Sequence, residues 1–128
     1  MGDGRLSALG KHLLLELNDC DRNLLDDIVF IKDVMISAAN EAGATILGES
    51  FHQFSPQGVS GVLIIAESHL TIHTWPEHGY AGADIFTCGT RVQPEKAAKV
   101  IIARLKPGTH SIILMDRGKI DIEQGVKG

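Results

Sequence analysis

Apolar residues along this chain repeat with two periods. From Asn23 to Ala42 they step by three and four: Leu24, Ile28, Ile31, Met35, Ala38 and Ala42. That spacing puts them on one stripe of a 3.6-residue helix. Asp21 or Asn23 can cap its start, and Gly43 can end it. A second helix is predicted from Pro94 to about Lys106, with proline in its first turn. Ala97, Val100, Ile101 and Leu105 form its buried stripe, and Pro107-Gly108 closes it. Elsewhere the period shortens to two or becomes a short continuous run. Lys11–Asn18, Thr45–Phe54, Val59–Ala66, Ala83–Cys88 and Thr109–Asp116 read as strands. In His69–Trp75 the alternation puts His69, Thr71, His73 and Trp75 on one face and Leu70, Ile72 and Thr74 on the other. Pro76 stops that strand, and Ser55-Pro56-Gln57-Gly58 has turn chemistry.

The resulting order is β-α-β-β-β-β-α-β. Hairpin-like connections dominate, which predicts an α+β two-layer sandwich: a mostly antiparallel sheet with two helices on one face. The other face is then free for a second copy. The 128 residues make one domain, 1–128, too short for a nucleotide-binding domain plus a substrate domain. Glycines at both ends (Gly2, Gly4, Gly125, Gly128) predict frayed termini. The formal net charge is −4 with no basic stripe, which argues against nucleic acid as a partner. No apolar run approaches the roughly 20 residues that span a bilayer. No apolar segment follows Met1, and Cys20 and Cys88 form no CxxC pair. A cytoplasmic protein with free thiols, away from membranes, is expected.

Unusual residues concentrate in one stretch. Five of the six aromatics and four of the six histidines lie between residues 51 and 86, so the chemistry is sought there. A metal site on His69 and His73 is disfavoured, because four residues along a strand span roughly 13 Å. Cys88 with a histidine suggests nucleophilic catalysis, but a free cysteine is more often a small buried hydrophobe. The dipeptide Glu67-Ser68 admits a third reading. A serine hydroxyl can attack the preceding carbonyl when the backbone is held strained, and the resulting ester can eliminate and hydrolyse to a pyruvoyl group. A polar turn serine is the plainer alternative.

The run Glu67-Ser68-His69-Leu70-Thr71-Ile72-His73-Thr74-Trp75-Pro76-Glu77, followed by Ala83-Asp84-Ile85-Phe86-Thr87-Cys88-Gly89, closely resembles the short prokaryotic form of the S-adenosylmethionine decarboxylases. Gly10-Lys11-His12-Leu13, Gly43-Ala44-Thr45, Phe51-His52-Gln53-Phe54 and Gly58-Val59-Ser60-Gly61-Val62 fit the same family. The resemblance extends to about Asp116, and the tail after Arg117 is not diagnostic.

The resemblance implies a proenzyme that cleaves itself between Glu67 and Ser68. The products would be a β chain, 1–67, and an α chain, 68–128, that begins with a covalent pyruvoyl cofactor made from Ser68. The substrate amine would form a Schiff base with that ketone and lose carbon dioxide. The product would donate aminopropyl groups for spermidine. His73 matches the proton acceptor in processing, Cys88 the proton donor in catalysis, and Ser60 a hydroxyl that assists processing. Glu77 matches a carboxylate for the ribose, and Phe54 an aromatic that stacks on adenine. A homodimer of αβ protomers, or a larger assembly, is also implied, and the strand spacing above leaves no metal expected. Ser68, His73 and Cys88 would equally serve a pyruvoyl-dependent arginine decarboxylase of the same fold, whereas the sequence near Glu77 and Phe54 suits a nucleoside. A non-catalytic α+β binding module is the alternative of another class. One geometric demand follows from spacing alone. Ser68 and His73 are five apart, so a straight strand sets them on opposite faces, roughly 16 Å apart. Either the chain bends at Ser68, or another strand or protomer supplies the geometry.

Overall fold

Six strands and three helices make up the fold in the computed structural model, which describes residues 6–121. The strands are β1 Leu6–Asn18, β2 Thr45–Gln53, β3 Val59–Ala66, β4 Ser68–Trp75, β5 Tyr80–Cys88 and β6 Thr109–Asp121. They form one sheet in the order β2-β3-β4-β5-β1-β6, and every neighbouring pair is antiparallel. Strands β2 to β5 are a meander, and β1 inserts between β5 and β6. The α+β two-layer architecture expected from the patterning is the one observed. The terminal glycines expected to fray lie outside the described residues.

The first predicted helix is two helices, α1 (Arg22–Leu25) and α2 (Ile28–Glu41). The break falls at Asp26 and Asp27, whose side chains compete with the helix for backbone groups. Asp27 caps α2 by accepting the Phe30 N–H at 3.1 Å. Asp26 reaches across to the β2–β3 turn, where its Oδ1 accepts the Gly58 N–H at 2.8 Å and the Gln53 amide at 2.9 Å. Asp21 caps α1 as expected, and Gly43 takes the left-handed φ of 85° just past α2. The last helix, α3 (Pro94–Leu105), ends on Lys106 in a left-handed conformation rather than on a glycine. Strand β5 begins three residues before its expected start, because a single 3-10 turn, Pro76–His78, and Gly79 complete the reversal. Strand β6 outruns its expected end at Asp116 because β1 starts at Leu6 and pairs with it as far as Asp121.

Alternation gives the central strands two unlike faces. Leu13, Leu15, Leu17, Leu63, Leu70 and Ile85 point towards the helices and have no exposed surface. They meet Ile31, Val34, Met35 and Ala38 of α2 and Ala97, Ile101 and Leu105 of α3. Each fully buried aliphatic side chain contributes roughly 1.5–3 kcal/mol. Thr74 is a buried polar residue on this side, and it is satisfied. Its hydroxyl donates to the Leu25 carbonyl at 2.8 Å and accepts the Val59 N–H at 2.9 Å. These bonds tie β3 and β4 to α1. Among the described residues no helix lies over the opposite face, where His12, His52, His69 and His73 stand.

Candidate active site

The open face presents the alternate residues of four strands. On β3 and β4, Ser60 pairs directly with His73, and the Ser60 hydroxyl is hydrogen-bonded to His73 Nδ1. Rings surround that imidazole. The Trp75 ring centroid is 4.1 Å from it and the Phe54 centroid 5.7 Å, with His52 set edge-on to Phe54 at 4.6 Å. Phe54 is held at the rim because its N–H donates to the Gly58 carbonyl at 2.8 Å, within the turn that Asp26 pins. A cavity of about 390 Å³ opens here, lined by Ser50, His52, Ser60, His73 and Asp84 among others.

Asp84 anchors a polar chain across this face. It accepts from the Thr71 hydroxyl at 3.1 Å and from His12 Nε2 at 3.1 Å, while Arg117 meets His12 Nδ1 at 2.8 Å. Arginine can only donate, so His12 Nδ1 is the acceptor and Nε2 carries the proton given to Asp84. Nearby, the Tyr80 hydroxyl donates to Glu16 at 2.7 Å. Burial, then the bond to Glu16 and the charges of Glu16 and Asp84, push the Tyr80 hydroxyl up to about 12.

The other end of β4 is built differently. Strands β3 and β4 are joined through Glu67 alone, with Ile65 opposite Ser68. Ser68 opens β4 with φ at 143°, a backbone region that side-chain-bearing residues rarely occupy. As expected, β4 begins at Ser68 after a turn and does not run through from Ala66, but the turn precedes Ser68, so Ser68 and His73 stay on one regular strand and are not brought together within the chain. Ser68 pairs with Thr87, and the next residue is Cys88, so serine and thiol share one end of adjacent strands. A cavity of about 210 Å³ lies beside them, lined by Glu67, Cys88, Gly89, Thr90 and Arg91 among others. Cys88 is half-buried, whereas Cys20 is buried under the sheet. Burial, and then the charge of Asp19, push the Cys20 thiol up to about 11.

The anticipated residues therefore fall into two groups. Glu67, Ser68 and Cys88 come together at the tight end of the β3–β4 hairpin. Ser60, His73 and Phe54 come together at its wide end, and Glu77 stands exposed on the 3-10 turn beyond Trp75. About 16 Å of strand separates Ser68 from His73. No local pattern in the sequence marks Glu16, Tyr80, His12 or Arg117, and Asp84 stands there only as part of the Ala83–Gly89 run. Period two within the expected strand Ala83–Cys88 already puts Asp84 on the face of Cys88, whereas Tyr80 joins that face only with the strand begun at Tyr80. Among the described residues no three metal-ligating side chains cluster, and no helix is long and apolar enough to cross a membrane.

Residues 11–118 match the sequence model of a family described as S-adenosylmethionine decarboxylase. The S-adenosylmethionine decarboxylase proenzyme of Thermodesulfovibrio yellowstonii is 51% identical over 113 residues, covering 88% of this chain and 84% of the relative. The proenzyme of Thermotoga maritima is 49% identical over 116 residues, covering 91% and 89%. Among solved structures, the adenosylmethionine decarboxylase of Aquifex aeolicus superposes with a TM-score of 0.82 at 36% identity, covering 88% of this chain and 92% of that one.

Proposed function

The chain belongs to the S-adenosylmethionine decarboxylase family, and on that premise we propose that it cleaves itself between Glu67 and Ser68 and then decarboxylates S-adenosylmethionine. One observation carries this reading: Ser68 opens β4 directly after a one-residue connection, at a rarely occupied φ, with Cys88 at the same end of the adjacent strand. The Ser68 hydroxyl adds to the Glu67 carbonyl carbon. The peptide C–N bond breaks, leaving an ester and a free amine. His73 takes the Ser68 α-proton, the Cβ–O bond breaks, and Glu67 departs as the carboxylate end of the β chain, 1–67. Residue 68 is left as dehydroalanine. Its imine tautomer adds water and releases ammonia, which leaves a pyruvoyl group on the α chain, 68–128.

The local residues suit that group: a hydroxyl-bearing residue at a turn, an exposed Glu67 as leaving group, and an adjoining cavity. The pyruvoyl ketone supplies an electron sink for decarboxylation. Cys88 returns a proton to the substrate α-carbon. A general acid in this position is worth roughly 10²–10⁴ in rate. Phe54 stacks on the adenine, and Glu77 accepts from the ribose hydroxyls. Ser60 is hydrogen-bonded to His73 Nδ1; in the tautomer that donates Nδ1–H to the hydroxyl, the Nε2 lone pair is the base. The decarboxylated product supplies aminopropyl groups for spermidine, in a cytoplasm that keeps Cys20 and Cys88 reduced.

A homodimer completes the site. One chain holds the Ser68 and His73 groups about 16 Å apart on one strand. It also leaves a sheet face uncovered, with Ile64 52% and Trp75 37% exposed. A second copy on that face covers it and brings His73 of one chain to Ser68 of the other.

The test is the fate of freshly made protein on a denaturing gel, together with carbon dioxide release from labelled substrates. Wild type runs as two fragments, and Ser68→Ala runs as one band. Cys88→Ala still cleaves but loses about 100-fold or more of its decarboxylation. A wild-type chain that stays whole, or release from arginine alone, overturns the reading.

A further inference from the structure

The imidazole of His73 is braced from β1, two strands away. Gly82 on β5 lies in register between Glu16 on one side and His73 on the other. All three occupy the open face. Tyr80, two residues earlier on that face, folds over the glycine to reach Glu16. A Cβ at position 82 would sit 2.9 Å from the Tyr80 hydroxyl, so no side chain fits beneath it. The phenol donates to Glu16 at 2.7 Å. Its ring lies 5.2 Å from that of Trp75, its partner in register, and the Trp75 ring lies 4.1 Å from His73. A continuous path of contacts therefore runs Glu16–Tyr80–Trp75–His73–Ser60.

We propose that Tyr80 is a positioning residue for self-cleavage: clamped by Glu16 over Gly82, it holds the Trp75 indole and, through it, the His73 imidazole that takes the Ser68 α-proton. This rests on the processing role given to His73 above. Its physical basis is rotamer control. The Ser60 bond fixes one nitrogen of the ring but leaves the ring plane free to rock about that contact. The indole removes that freedom from one side. Trp75 ends its strand, and within the chain the rings beside its indole are those of His73 and Tyr80. The Tyr80 hydroxyl, pushed up to about 12, keeps its proton and its clamp across the working pH range. Gly82 is required by the same arrangement. Any larger residue there would lift the phenol from Glu16 and intrude between Tyr80 and His73.

The step in question has a chemical signature. A misplaced base leaves the acyl shift intact but stalls elimination, so the Glu67–Ser68 ester accumulates. Hydroxylamine attacks that ester carbonyl, releasing an α chain that starts with serine and a β chain that ends in a hydroxamate. Fresh precursors of wild type, Tyr80→Phe, Gly82→Ala, Glu16→Gln and His73→Ala are followed with and without hydroxylamine, by gel and by mass. Tyr80→Phe and Gly82→Ala are expected to self-cleave about tenfold more slowly or worse, with hydroxylamine-sensitive ester building up. Glu16→Gln keeps an acceptor for the phenol and is expected to stay close to wild type. Unfolding midpoints measured in a Ser68→Ala background show that Tyr80→Phe remains folded. Wild-type cleavage rates in both Tyr80→Phe and Gly82→Ala overturn the proposal, as does slowing without ester. The premise is tested separately: His73→Ala should accumulate ester more strongly than any other variant. If it does not, the role of His73 fails. If it does while Tyr80→Phe does not, only the buttress fails.

Discussion

Strands β3, β4 and β5 present two faces built from alternate residues of the same segments, and the faces have little in common. Towards the helices stand Leu63, Leu70, Ile72 and Ile85, essentially without exposed surface, and the buried polar residues are the two threonines, Thr74 and Thr87. Towards the open side stand Ser60, His73, Asp84 and Phe86, all half-buried, beside Glu16 of β1. The covered face excludes water and so supplies the free energy of folding. The open face holds polar groups against one another at hydrogen-bonding distance, and this is where proton transfer is arranged. Because neighbours in sequence belong to different faces, stability and chemistry share every strand and can be altered separately. The helical cover also has an edge. Ile112 and Leu114 of β6 pair with Leu15 and Leu13 and share their side of the sheet, yet each stays 47% exposed.

The strongest test of that division asks whether the open face works as half of a composite site. Ser68→Ala and His73→Ala chains are each expected to stay uncleaved alone. Co-expressed, they should regain cleavage of the His73→Ala chain only, read by mass on differently tagged copies. No recovery would place the whole site within one chain and break the comparison at its root. The next effect is thermodynamic. In a Ser68→Ala background, Leu70→Ala should lower unfolding free energy by about 2–5 kcal/mol in urea titration. Its neighbour Thr71→Ala should lower it by less than about 1 kcal/mol. Equal losses would show that the open face carries stability too. Thr74→Val removes the hydroxyl that serves Val59 and Leu25. It should cost about 1–3 kcal/mol in the same assay, because two buried backbone groups lose their partner.

The smallest effect is spectroscopic. The chain has one tyrosine, so tyrosinate absorbance reports Tyr80 directly. Its midpoint should lie near 12 in the folded protein and near 10 in urea, because burial and then Glu16 favour the protonated phenol. The folded state holds that proton longer. The stabilisation is therefore complete below about pH 10 and is lost as pH rises towards 12. Glu16→Gln should move the folded midpoint down towards the ordinary value. An unchanged midpoint would detach Glu16 from Tyr80.

Much of this was legible in the residues. The 3-4 spacing in Ile28–Ala42 and the alternation in His69–Trp75 marked which side chains face the helices. Spacing alone showed that Ser68 and His73 cannot meet along a straight strand, and β4 does hold both, with the turn at Glu67 lying before Ser68 rather than between them. Less legible was the helix break. Asp26-Asp27 reads as ordinary first-turn acid until Gly58, distant in the sequence, presents its N–H to Asp26. Tyr80 carries no local mark for a similar reason. Its role depends on lying over a glycine that faces Glu16, and no local pattern records that.

The order of elements, the unlike faces of each strand and the Glu67–Ser68 motif are properties of the sequence itself. They follow from side-chain period and chemical type, which are written residue by residue. The register of β1 against β5, which sets Glu16 opposite Gly82, belongs to the tertiary structure alone. So does the bond from the Gly58 N–H to Asp26. Both arise from contacts between segments far apart in sequence, chosen by the fit of the whole sheet against its helices.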